Sequence, residues 1–239
     1  MASHDIAVAY GTPFISGKDS MFNDFKGFNE NGNPIKISVP PTLLASSIAV
    51  IDDVKKAVSL DAKIPGDFVY VLGENSEELG GSEYFAMKGE MLRDKGFIGN
   101  RVPEVNVDRN KRLYESFSEA INQGLVASAQ SVHKGGLGIA LAKTAMGGKL
   151  GMEVSLGELR DIEMRDDYAL YSESQGRLVV TINPEYAPKF EKMMEGSRIS
   201  KIGVIRDDDK FVVKGRKEII MDTNVNEMLT SYKSTFKDY

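Results

Sequence analysis

Four consecutive residues, Gly17-Lys18-Asp19-Ser20, gather a flexible backbone, a cation, a carboxylate and a hydroxyl. A glycine turn after a strand can aim successive backbone N–H groups at an anion. Lys18 would add a point charge for phosphate, and Asp19 a hard oxygen suited to Mg²⁺. Ser20 would offer a hydroxyl to a second ligand. The stretch is not a Walker loop. Five residues separate Gly11 from Gly17, and Asp19 stands where a Mg²⁺-binding hydroxyl should follow the lysine. The same four residues also make an ordinary polar turn after an edge strand, and spacing alone leaves both readings open.

Two further turns carry glycines ahead of a helix. In Gly80-Gly81-Ser82-Glu83 the glycines would let a ligand approach a positive helix N-terminus, or Ser82 caps the helix and Glu83 suits its first turn. His133-Lys134-Gly135-Gly136 reads as a strand-to-helix turn in which His133 is a base, a ligand contact or a plain turn residue. The other His is at position 4, so no zinc spacing exists. Asp207-Asp208-Asp209 reads as a solvated turn between short strands.

The composition limits the chemistry. Of 239 residues, 41% are hydrophobic and 27% charged, as in a globular protein. The net charge of −5, without a basic tract, argues against nucleic-acid binding. There is no cysteine, which removes disulfides, thiolate nucleophiles and thiolate metal sites. The longest apolar run, Leu43 to Ile51, is far shorter than the roughly 20 residues of a membrane span. With no signal-peptide pattern, a cytoplasmic protein is expected.

These turns need elements to hold them. Asp5–Tyr10 reads as the last turns of a helix, and Thr12–Ser16 as a strand. Asn31-Gly32 marks a hairpin. Residues 42–51 are apolar at nearly every position, which predicts a strand buried on both faces. Pro65-Gly66-Asp67 marks a domain boundary, giving domains 1–64 and 65–239. Beyond it, 68–73 reads as a strand and 79–89 as a glycine turn into a helix. Asp108 is expected to cap a helix ending at Gly124. Strands are expected at 125–132 and 151–156, with a helix from 137 to 148 between them. Residues 170–182 read as a strand pair. A helix follows from Pro184, then a hairpin of strands 200–206 and 210–214, then a helix from Asn224. The fold class is α+β.

Six stretches, in order, resemble the second half of the phosphoribosylformylglycinamidine synthases, the ATP-dependent amidine-forming enzymes of purine biosynthesis. They are GTPFISGKDSMFNDF (11–25), VPPTLLASSIAVIDDV (39–54), PGDFVYVLGE (65–74), ELGGSEY (78–84), HKGGLGIALAKTAMGG (133–148) and YSESQGRLVV (171–180). The resemblance implies the end of an N-terminal barrel-forming domain, followed by a complete C-terminal α/β domain like that of aminoimidazole ribonucleotide synthetase. The chain is then expected to be a fragment or one subunit of a split enzyme. Aminoimidazole ribonucleotide synthetase itself, selenophosphate synthetase and thiamine phosphate kinase share this architecture and are the alternatives within the superfamily.

In small-type members the turn matching 16–20 reads Ser-Gly-Asn-x-Ser. Its Gly contacts ATP, its Asn Mg²⁺ and its Ser the formylglycinamide ribonucleotide. By position these roles fall on Gly17, Lys18 and Ser20. A lysine cannot ligate Mg²⁺, so the expected assignment is ATP phosphate to Gly17 and Lys18, metal to Asp19 and substrate to Ser20. No catalytic residue is expected here. The turn at 131–136 lacks the carboxylates many relatives carry and is expected to be structural. Ammonia would come from a glutaminase partner with a cysteine nucleophile, and the first half of the synthase would be the other partner. The chain alone is expected to be inactive, with homodimerisation through residues 1–60 a further expectation. A non-catalytic scaffold, with or without a structural nucleotide, is the competing reading.

Overall fold

A computed structural model describes residues 2–19, 24–40, 42–93, 97–160 and 164–235. It divides into two compact units, Met1–Val54 and Lys55–Tyr239.

The first unit opens on α1 (Ala2–Tyr10) and carries one hairpin, β1 (Phe25–Phe28) with β2 (Pro34–Ile37). The Asn-Gly signal is met there. Gly32 adopts φ 78°, and the Asn29 side chain accepts from the N–H groups of Asn31 and Asn33. Two expected strands are absent. Residues 12–16 are irregular and exposed. Residues 42–51 form no strand, and Leu43, Leu44, Ile48 and Val50 are each more than four-fifths exposed. The physical reason is a missing ladder. A strand buried on both faces needs neighbours for its backbone and cover for its side chains, and no described strand of this unit pairs with it.

The second unit is a seven-stranded sheet with helices on both faces. In chain order its elements are β3 (Phe68–Leu72), α2 (Glu83–Leu92), α3 (Val107–Asn122), β4 (Ser128–Val132), α4 (Gly136–Gly148), β5 (Met152–Ser155), α5 (Asp166–Tyr171), β6 (Arg177–Ile182), α6 (Ala187–Met193), β7 (Ile199–Ile205), β8 (Lys210–Lys214), β9 (Ile219–Asn224) and α7 (Val225–Ser234). The strands lie in the order β4-β6-β3-β7-β5-β8-β9, and every pair is antiparallel except β5–β8. The α+β expectation holds, and no closed barrel forms among the described residues. No described helix is long and apolar enough to cross a membrane.

Strand periodicity splits the core in two. Val69 and Val71 of β3 face Leu137, Ala140 and Leu141 of α4, while Tyr70 and Leu72 face Leu113 and Phe117 of α3 and Phe190 of α6. Each Val, Leu or Phe among them, removed from water, contributes about 1.5–3 kcal/mol. Three local expectations are corrected. The α3 cap is Asn106, whose side chain accepts from Arg109 N–H; Asp108 lies in the first turn. Residues 170–182 hold the end of α5, a turn and one strand, because Arg177–Ile182 fills the space between β3 and β4. The strands near 200 and 210 are not a hairpin, because β5 inserts between β7 and β8. Backbone bonds from Gly151 N–H to Asp208 O (2.6 Å) and from Arg206 N–H to Gly151 O (2.9 Å) fix that insertion. Strand β9 was not read from the sequence.

Asp67, just before β3, is 1% exposed, and neither carboxylate oxygen has a hydrogen-bond donor in the protein. Burial raises its pKa above the ordinary 3.8. The folded protein therefore holds this proton more tightly than the unfolded chain. The associated stability is present below the ordinary value and lost as pH rises through the raised one. Asp67→Asn removes the dependence, so its melting temperature relative to the parent should be higher at neutral pH than in acid. A difference that does not change with pH would contradict this.

Gly136 opens α4 at φ 68°, and a Cβ there would lie 2.6 Å from the carbonyl oxygens of Leu170 and Ser172. Both the backbone conformation and the space demand glycine. Gly136→Ala should cost about 2–5 kcal/mol in denaturant unfolding, combining left-handed strain with overpacking. A loss within ordinary surface scatter would contradict that close approach.

Candidate functional site

The cluster expected to do chemistry lies in the first unit. Gly17, Lys18 and Asp19 sit in an exposed, irregular segment, and an added Cβ at Gly17 would meet nothing within 4 Å. Ser20 lies outside the described residues. The donor set suits an ion held together with a ligand rather than by protein alone. No group of three or more His, Cys, Asp or Glu side chains able to hold a metal occurs among the described residues. A single carboxylate at Asp19 is the kind of protein contribution Mg²⁺ takes when phosphate oxygens and water complete its shell.

The second unit brings together the other two glycine turns, far apart in sequence. Strands β3 and β4 lie on either side of β6 and run the same way, so the turns leaving their C-terminal ends emerge at the same end of the sheet. One turn leads to α2, whose N-cap Ser82 accepts from Phe85 N–H. The other leads to α4. Between them stands the turn entering β6, residues 172–176. Its Glu173 carboxylate accepts from Glu83 N–H at 3.0 Å and from Gly135 N–H at 2.9 Å, both on Oε1. One carboxylate oxygen thus serves the starts of two helices, where unpaired N–H groups and the helix dipoles favour negative charge. Above it, Lys134 Nζ donates to Glu83 Oε1 at 2.8 Å, an exposed pair of small energetic weight.

A buried polar network holds Glu173 in place. Arg177 is 1% exposed and donates through Nε to Ser174 O at 3.0 Å, through Nη1 to Asn75 Oδ1 and through Nη2 to Ser172 O. Ser172 Oγ also donates to Asn75 Oδ1, and Asn75 Nδ2 donates to Ala169 O. Ser76 N–H donates to Ser174 Oγ, and Glu173 N–H to Glu78 O. Burial pushes the Arg177 guanidinium down to about 10, while the fields of Glu78 and Glu173 oppose that shift. It therefore stays charged at neutral pH.

Sequence reasoning named both glycine turns but missed Glu173 and Arg177. The available signal was the acidic residue inside Ser172-Glu-Ser-Gln-Gly-Arg177, a polar stretch leading directly into an apolar strand. His133 is exposed and takes no part in the network described. The Asp207–Asp209 triplet is a turn, as expected. Asp208 accepts from Arg206 at 2.8 and 2.5 Å, and that contact holds its carboxyl down at about 2.

Comparison with known proteins identifies the domain and its fold. Residues 65–216 match the family described as AIR synthase related protein, C-terminal domain. The phosphoribosylformylglycinamidine synthase subunit PurL of Methanocaldococcus jannaschii is 31% identical over 235 residues, which is 97% of this chain and 30% of that protein. The chain spans less than a third of the length of such curated relatives. Among solved structures, Thermotoga maritima PurL complexed with FGAR superposes with a TM-score of 0.69 at 21% identity, covering 94% of this chain and 36% of that one. The same protein complexed with ATP gives 0.62 at 19%, covering 94% and 34%. These likenesses establish the fold. The chain belongs to the family of AIR synthase related proteins, whose C-terminal domain it carries.

Proposed function

We propose that the chain works as part of a phosphoribosylformylglycinamidine synthase, an ATP-dependent carbon–nitrogen ligase of cytoplasmic purine biosynthesis. The supporting observation is the likeness to a PurL subunit along 97% of the chain, with both units included. Residues 1–64 would be the end of a barrel-forming domain and 65–239 its C-terminal companion. The exposed apolar side chains of 42–51 then meet the first half of the synthase as partner, or in its absence a second copy of this chain. A glutaminase domain or subunit supplies ammonia.

Within that assembly the Gly17 backbone and the Lys18 ammonium hold phosphate. The Asp19 carboxylate contributes one oxygen to Mg²⁺, and the Ser20 hydroxyl positions the formylglycinamide ribonucleotide. Bound Mg-ATP supplies the phosphoryl group that activates the substrate amide oxygen for displacement by ammonia. The chain's own part is to bind and orient, and with no cysteine it does not carry the glutaminase nucleophile. A scaffold role without turnover is the second reading. It is favoured by one observation, that the paired glycine turns of the second unit already hold a carboxylate of the chain itself.

Ammonia-dependent conversion of formylglycinamide ribonucleotide with Mg-ATP should be absent for this chain alone and appear on mixing with a first half. Turnover by the chain alone would refute the divided site. Silence in a mixture of folded, associated chains would favour the scaffold.

In the active mixture, Lys18→Ala should raise the KM for ATP on the order of tenfold, the loss of one charge-assisted contact. An unchanged KM would remove Lys18 from the nucleotide site.

A further inference from the structure

The Glu173 contact has the form of a ligand contact. An anion at a helix N-terminus is held by free backbone N–H groups and the local dipole. Here two helices of ten and thirteen residues contribute, one N–H each, to one oxygen. The acceptor comes from the same chain, on a turn that is not free to leave. Ser172 and Ser174, its neighbours on either side, are 0% and 2% exposed, and Asn75 is 8% exposed. All three bond across to the opposing loop or to Arg177. Gly136 lets the turn's backbone pass directly against the start of α4. The carboxylate is therefore delivered to the paired N-termini by buried, rigid structure.

An incoming phosphate would have to displace it. The two N–H groups would exchange one anionic acceptor for another, so the exchange gains little there. The Glu173 side chain would have to swing off both amides from a backbone that the buried Arg177 network keeps in place. At the entrance the Glu83 carboxylate is paired with Lys134 Nζ at 2.8 Å, so the exclusion falls to Glu173 itself.

We propose that Glu173 is a built-in occupant of the anion position shared by α2 and α4, and that it closes this place to phosphorylated ligands. The glycine turns of the second unit keep the form of a phosphate cradle while the chain supplies the anion itself. This deepens the scaffold reading for the second unit and leaves the assignment at Gly17–Ser20 untouched. Neither amide belongs to the residues assigned to ATP or substrate, so a binding experiment reads it independently of synthase activity.

The test is titration of the isotopically labelled full chain with inorganic phosphate, following the amide resonances of Glu83 and Gly135. In the parent chain neither should shift in a saturable way. In Glu173→Ala, and in the milder Glu173→Gln, both should shift together with at least a tenfold gain in apparent phosphate affinity. Saturable shifts in the parent would overturn the proposal. So would a folded variant of either kind that binds no phosphate at these amides. Unfolding of Glu173→Gln, which retains an oxygen acceptor of the same reach, would also overturn it, because the carboxylate would then be a structural necessity rather than an excluder.

Discussion

The buried guanidinium of Arg177 is the contact on which the paired glycine turns of the larger unit depend. A charge taken out of water is costly unless its donors are matched by acceptors. Here the acceptors are neutral oxygens of Asn75, Ser172 and Ser174, on two loops distant in sequence. The field of Arg177 fixes both loops at once, and everything nearby follows. Glu173 is set between two helix starts, and the α4 helix can begin only at a glycine. Were the guanidinium replaced by an apolar group, the Ser172 and Ser174 carbonyls would lose this donor, and Asn75 Oδ1 would keep only the Ser172 hydroxyl.

The two units obey opposite constraints. In the larger one, each strand of the sheet core finds ladder partners, and its alternating side chains fill one of two cores. In the smaller one, an equally apolar segment at 42–51 has neither ladder nor cover. Hydrophobic patterning states what a segment would bury if it could. Whether it does so depends on surfaces that the pattern itself does not specify.

Much of the fold was legible for local reasons. Asn31-Gly32 dictated its turn, and the α3 and α4 periodicities gave helices at their observed places. What escaped was non-local. Adjacent strands at 199–205 and 210–214 look like a hairpin because sequence neighbours usually pair, yet β5 separates them through backbone bonds from Gly151. The glycine turns were legible as possible cradles, because glycine before a helix has a limited set of uses. Their common occupant was not, since an acidic residue in a polar turn carries no mark of the distant amides it will meet. The Gly17–Asp19 cluster was noticed from residue types, and its roles were assigned through the family resemblance; its setting is exposed and irregular.

The insertion of β5 also bears on how the sheet is assembled. Met152 pairs with both Ile205 and Phe211, so half of this sheet closes only after most of the unit has been made. The short turn joining β7 to β8 cannot zip them together without expelling β5. Such long-range pairing raises the contact order and slows folding. During synthesis, α4 and β5 would emerge from the ribosome with their apolar faces still waiting for β7 and β8. The centre of the sheet is therefore open to association with other chains until late in synthesis.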